Sequence, residues 1–516
     1  MSACFFQGNK DYCENTRNTD LMLQTFKKDR QKILQMLKEN PQELTKVLWS
    51  PNSPICKDDN CLFQMGKSLK LSIDDILERK KDICDSLINF YICPQCKNMR
   101  RLIDFTKTRA SEPFLIECGE YAGSSFICKK QSVNKTYLNY EKEPLAVKKA
   151  YSHPDILKLL KCSSCVSTPS CGLPPSCVST PSCALPSVSA LPSLSLTPDG
   201  LNELKKYQDL SYLETDSFTN NILINWFLQE QEHIPVNLSP LLMAWICNGQ
   251  GYNLYQYLDI SNITSFQDFP AFLTNSGKPS PTAKADDKSP ISSEICKGII
   301  MQLFAVLHSL RKFDFSHGNP STNALKFQNE SVSYILDGVH ITCPVTLKLE
   351  DFGNSGCTVL ENKIRLYSSS LIAQEQFKNK NINFGIDTIQ NEDTQILTYR
   401  LKNPSQYIKE SVMFMYMKHL GLPVYASSFD AYAFMVVLLC ERSFHSGVMS
   451  NTILAKFWRD MWINDEDYVK VSRRISEYHE TTSIITTNDV LKIISNLSLR
   501  CDMIDFGWNL IKSFNS

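Results

Sequence analysis

The sequence predicts an α+β chain with a small, strand-rich first lobe and a larger helical second one, preceded by a helical leader. Strand-like runs flank glycines between residues 116 and 148, early in the chain. Helical periodicity dominates from residue 294 onward, beginning with the amphipathic run Ile295–Leu310. Hydrophobic residues make up 43% of the 516 residues and charged ones 21%, enough apolar material for a sizeable core and against wholesale disorder. Strands early and helices late are the pattern of an α+β chain.

Taken in order, residues 1–110 read as a polar, lysine-rich, cysteine-containing extension with helical spacing in Asp20–Leu37 and again in Ile73–Phe90. Residues 111–248 form the first lobe and 249–516 the second. The first lobe carries an insertion at 162–198, where CVSTPSCGLPPS (165–176) is followed by CVSTPSCALPSV (177–188). Two Pro- and Ser-rich copies cannot build a solenoid, and the proline density disfavours helix and sheet, so the expectation is a disordered excursion. A second polar linker spans 274–293. Strand-like runs follow at Ala324–Phe327, Ser333–Leu336 and Val345–Leu349, then helical text at Phe429–Arg442, Ile453–Trp462 and Asp489–Leu499.

Composition narrows the function classes. Lys plus Arg number 54 and Asp plus Glu 54, so no net charge draws the chain to nucleic acid or to an anionic membrane. The longest apolar run, Ala431–Cys440, is too short to span a bilayer, and the start of the sequence lacks a basic region followed by an apolar one. A cytoplasmic protein with reduced thiols is expected despite its 20 cysteines. Cys93-x₂-Cys96 with Cys56-x₄-Cys61 could supply four zinc ligands, but the spacing is irregular and Cys84 competes, so buried or free thiols are the preferred reading. No H-E-x-x-H occurs.

Several short motifs carry chemistry. In I-E-C-G-E-Y-A-G-S-S-F-I-C-K-K (116–130), Gly119 and Gly123 could let a hairpin approach phosphate oxygens, no Cβ intervening. Leu145-Ala146-Val147-Lys148 is a small apolar strand ending in lysine. His317-Gly318-Asn319 with Asn323 follows the helix Ile295–Leu310. Leu347-Lys348-Leu349-Glu350-Asp351-Phe352-Gly353 is an apolar strand ending in a carboxylate, a hard oxygen donor suited to Mg²⁺.

In this order the motifs resemble the protein-kinase-like superfamily over about residues 112–510. Lys148 resembles the lysine of V-A-I-K, His317-Gly318-Asn319 the catalytic loop in its H-G-D variant, and Asp351-Phe352-Gly353 the D-F-G motif. Ala244–Asn248 followed by Gly251–Leu258 resembles the hinge and the start of the helix after it. Ser428–Phe434 resembles the central helix whose early Asp braces the catalytic loop. The resemblance implies a bilobal fold binding ATP and Mg²⁺, with Lys148, Gly119 and Gly123 on the nucleotide and Asp351 and Asn323 on the metal. The heavily inserted style is similar to divergent kinase-like proteins of large DNA viruses, which would put the chain in the host cytoplasm or the virion.

Three departures bear on activity. Asn319 stands where the catalytic Asp belongs, and an amide cannot accept the acceptor's proton; such a loss costs about 10²–10⁴-fold in rate. Only three residues separate Asn319 from Asn323 where the family has four. Asn221, in the expected helix Asp216–Gln229, stands where the family has the lysine's Glu partner. Two readings follow: a divergent serine/threonine kinase acting on a protein substrate, or a pseudokinase serving as a binding or scaffold protein.

Overall fold

The computed structural model describes residues 30–47, 111–115, 125–133, 138–141, 211–231, 236–247, 250–257, 263–265, 291–359, 364–368, 386–391, 396–401, 423–479, 485–494, 497–499 and 503–514. The insertion 162–198, the cysteines of the suggested zinc site, Gly119, Gly123, Lys148 and most of the linker 274–293 lie outside these residues.

In chain order the strands are β1 (Ser111–Leu115), β2 (Ser125–Ser132), β3 (Leu138–Glu141), β4 (Ser211–Thr215), β5 (Leu241–Cys247), β6 (Gln250–Tyr257), β7 (Ile263–Ser265) and β8 (Leu325–Gln328). They continue as β9 (Val332–Leu336), β10 (Val339–Cys343), β11 (Thr346–Leu349), β12 (Gly356–Val359), β13 (Ile364–Ser368), β14 (Ile386–Asn391), β15 (Ile396–Leu401) and β16 (Ser498–Leu499). The helices are α1 (30–39), α2 (Pro41–Val47), α3 (Ser217–Gln229), α4 (Ser293–Arg311), α5 (Pro423–Leu439), α6 (Arg442–Met449), α7 (Thr452–Asp460), α8 (Asp465–Tyr478), α9 (Thr487–Ile494) and α10 (Met503–Lys512).

An antiparallel sheet runs β1-β2-β6-β5. Its strand β6 corrects the expectation that Gly251–Leu258 opens a helix. The segment pairs with β2 from Ser125↔Tyr257 to Ser132↔Gln250 and with β5 on its other edge, so both rows of backbone polar groups are satisfied by neighbours. Its tyrosines 252, 255 and 257 favour a strand over a helix. The expected division at 248 and 249 lies outside the described residues, between β5 and β6 in the chain.

A second sheet, β12-β13-β4-β3, joins residues distant in sequence, with β4 parallel to β13. Between them the β9–β10 hairpin closes on Asp337 (φ 47°) and Gly338 (φ 78°). Asp-Gly with both residues at positive φ is the two-residue turn that matches strand twist.

The helical part is organised on α4 and α5. Along α4 almost every residue from Cys296 to Leu310 is buried, and α5 is buried from Phe429 to Leu439. By length and composition α4 could cross a membrane, but most of that stretch is buried inside the protein, as in a core helix. Around it pack α5, α6 and α10. The predicted helix Phe429–Arg442 breaks in two, because the Glu441 side chain accepts the Phe444 N–H at 2.7 Å and starts α6. The predicted Asp489–Leu499 likewise stops at Ile494, and Ser498–Leu499 pairs with β15 instead. At the other end of the chain, α1 buries Ile33, Leu34 and Leu37, and Arg30 reaches Glu230 at 2.6 Å beside the C-terminus of α3, where a cation is favoured.

Two features of α6 have measurable consequences. A Cβ on Gly447 would run into the backbone oxygen of Ile291 and the sulfur of Cys296. Alanine is the better helix former by about 1 kcal/mol, yet backbone overlap costs about 1–3 kcal/mol. Gly447→Ala is therefore expected to lower the melting temperature in a calorimetric scan. The second feature is His445, whose ring lies 4.7 Å from that of His479. Burial, with His479 adding, pushes its pKa down to about 4. The neutral form is the folded one, so its stabilisation is complete above about pH 6.5 and is lost as pH falls toward 4. His445→Gln is expected to remove about 2–3 kcal/mol of the acid-induced loss, read as a smaller difference in urea stability between pH 7 and 4.5.

Candidate functional site

The chain leaving α4 and the chain leaving β11 meet at one buried imidazole. Ser316 and Gly356 exchange backbone hydrogen bonds of 2.9 and 2.8 Å, which sets the two segments side by side. The His317 backbone N–H donates to Asp430 Oδ2 of α5 at 2.6 Å. Its Nδ1 accepts the Asn319 N–H at 3.3 Å, so Nε2 carries the ring proton and donates to the Glu350 carbonyl at 2.8 Å. Edge-on contacts with Phe352 and Phe434, at 5.7 and 5.0 Å between centroids, fill the space around it. Behind the loop, the fully buried Arg365 donates to the Asp314 carbonyl and to Thr358 Oγ1.

Asp351 has φ 67° and ψ 62°, a left-handed conformation that is uncommon outside glycine and persists only where its surroundings enforce it. Helix α3 does the enforcing. Asp216 caps it by accepting the N–H groups of Phe218 and Thr219 at 3.1 and 3.0 Å, and it is buried from Phe218 to Leu228. From its first turns Asn221 Oδ1 accepts the Phe352 N–H at 2.9 Å, and Asn220 Nδ2 donates to the Ser355 carbonyl at 2.7 Å. Gly353 is glycine for a steric reason: a Cβ would sit 2.9 Å from the Ser217 carbonyl oxygen.

The cationic side of the site comes from β2. The Lys129 amine pairs with the carboxylate of Glu350, which is fully buried, and lies 5.2 Å from the centroid of Tyr255. Burial alone would pull the lysine pKa down; Glu350, then Tyr255 and Asp351, more than reverse this and leave it raised. Tyr255 accepts the Asn221 Nδ2–H at 2.9 Å, and burial pushes its hydroxyl up to about 12. Thus Asn221 joins the lysine–tyrosine cluster to the Asp351 turn.

Of the residues singled out in the sequence, Asn319 and Asp351 come together: Asn319 Nδ2 donates to Asp351 Oδ2 at 2.7 Å. The opposite end of the amide is also engaged, since Thr487 Oγ1 donates to Asn319 Oδ1 at 2.7 Å. Asn323 lies in the short turn Thr322–Ala324, is exposed, and makes no hydrogen bond to Asp351 among the described residues. Lys129, Glu350 and Thr487 were not anticipated. For Lys129 a signal existed, because Phe126-Ile127-Cys128-Lys129 is an apolar run ending in lysine like Leu145–Lys148. Thr487 lies 168 residues from Asn319 and has no local signature.

Magnesium takes hard oxygen donors in a near-octahedral shell. Here one oxygen of Asp351 holds an amide proton, the Asn319 oxygen is turned to Thr487, and Asn323 does not reach in. This donor set does not fit a magnesium centre. Among the described residues no three metal-binding side chains cluster elsewhere, and Cys296, Cys343, Cys357 and Cys440 are buried free thiols. No protein-family model matches the sequence, and no curated protein does.

Removing one member of the Lys129–Glu350 pair strands the other, and a stranded buried charge costs about 3–5 kcal/mol. Lys129→Met is expected to destabilise by about 3 kcal/mol, and Glu350→Gln added to it to restore most of the loss. Urea unfolding of the wild type, both single variants and the double variant reads this coupling; equal losses in the single Lys129 variant and the double variant would contradict it.

Proposed function

We propose that the chain is a kinase-like protein whose cleft binds a purine nucleotide, ATP, and whose phosphate transfer is lost, so that it works as a pseudokinase, a binding or scaffold partner for other proteins. The observation carrying this reading is the state of Asn319. Its N–H end is given to Asp351 and its oxygen to Thr487, so it offers no base to an acceptor hydroxyl.

The neighbouring geometry supports a nucleotide cleft. A lysine from a strand of the β1-β2-β6-β5 sheet stands beside the Asp-Phe-Gly turn, and an aspartate of a buried helix braces the backbone of the His-Gly-Asn loop. Lys129 takes the part expected of Lys148, and Glu350 replaces the acidic partner missing at Asn221. In this reading the Lys129 amine meets the phosphates while Glu350 holds it in place. A cytoplasmic location goes with it, in the host cell or virion if the chain is viral.

ATP that binds only the native state must raise the melting temperature. The wild type is expected to show such a rise, the Lys129→Met/Glu350→Gln variant none, and neither to transfer label from γ-labelled ATP to a generic protein acceptor. Absence of any rise at millimolar ATP would overturn nucleotide binding. Label transfer by the wild type that the double variant lacks would show an active serine/threonine kinase instead.

A further inference from the structure

The charged groups around Asp351 already have partners within the protein. Lys129 is matched by Glu350. The remaining carboxylate, Asp351, receives the Asn319 Nδ2–H at 2.7 Å, and the other end of the amide meets the Thr487 hydroxyl at 2.7 Å. Turning the amide over would set its oxygen against a carboxylate, so the N–H end stays where a cation would otherwise contact Asp351. The neutral Asn319 also leaves the site one carboxylate poorer than the kinase pattern it resembles. Less negative charge faces an incoming polyphosphate, and less cation is needed to admit it.

We infer that this site takes its nucleotide without a divalent cation, the Asn319 amide standing in for the metal at Asp351. This rests on the nucleotide-binding reading above and adds to it the form of the ligand: the free nucleotide rather than its magnesium complex. Asn319 acts here through Asp351, as a positioning residue. Its exchange for aspartate sets two carboxylates in contact, a repulsion that only a cation relieves.

The test is the ATP-induced rise in melting temperature of the full chain, measured in EDTA and in excess MgCl₂, with MgCl₂ alone as the control. The wild type is expected to show the same affinity in both, within about twofold. In Asn319→Asp the affinity in EDTA is expected to fall by more than about tenfold and to return with MgCl₂. Asn319→Ala removes the amide without adding charge, and in it MgCl₂ is expected to strengthen binding; this variant serves if the aspartate one does not fold. Wild-type binding that requires MgCl₂ would overturn the inference and leave the nucleotide reading standing. Indifference of both variants to MgCl₂ would remove Asn319 from the role. No rise under any condition would overturn both the inference and the reading it rests on.

Discussion

At Asp351 the backbone turns left-handed, and the parts of the site are arranged to hold it there. The turn is pinned on one side by two asparagines of α3, which bond the Phe352 N–H and the Ser355 carbonyl. On the other side His317 holds the carbonyl of the preceding residue, Glu350. A single left-handed aspartate costs about 1–3 kcal/mol, and this network of buried hydrogen bonds offsets it. The arrangement also explains two residue choices that would otherwise look arbitrary. Gly353 must lack a side chain because α3 begins against it, and Asp216 must cap α3 because the first turn of that helix bears the bonding asparagines.

Amides do much of the work that charges would do in the pattern this chain resembles. Asn221 sits where an acidic partner for the lysine was expected, and it links Tyr255 to Phe352. The Lys129 amine pairs instead with Glu350, which is fully buried and placed directly before Asp351. Asn319 ties Asp351 to Thr487. Amides both donate and accept, so each bridges two groups without adding charge. The outcome is a polar cluster in which Asn221, Tyr255, Asn319, Asp351 and Thr487 bond to neighbouring groups, a condition that favours one rigid arrangement over a site that reorganises around bound ions.

The helices supply the platform. Asp430 can hold the His317 backbone only because α5 is fixed along its buried length, and α5 is fixed by its packing with α4. Behind the loop, Arg365 of β13 reaches the Asp314 carbonyl, so the parallel pairing of β13 with β4 also bears on the site. A side chain far from the cluster can therefore move it by shifting α5 or β13.

Local patterns alone determined much of this. The periodicity of Ile295–Leu310 marked α4, and the apolar strand ending in Asp-Phe-Gly marked β11 and the turn after it; α3 was expected over Asp216–Gln229 from the resemblance, and that Asp216 caps it is seen only in the structure. Asp430 and the His-Gly-Asn loop were legible only through the resemblance of the short contiguous stretches that carry them. What tertiary structure decided depends on partners remote in the chain. The resemblance singled out Lys148, which lies outside the described residues, and passed over the similar apolar run Phe126–Lys129. The pairing of β2 with β6 is what carries Lys129 to Glu350, 221 residues away. The same pairing made 250–257 a strand, although its text also suits a helix start, because hydrogen bonds on both edges outweigh local preference. The orientation of the Asn319 amide was beyond any sequence reading, since an amide has two chemically different ends and it is the acceptor-only Asp351 carboxylate, brought beside it by the fold, that selects between them.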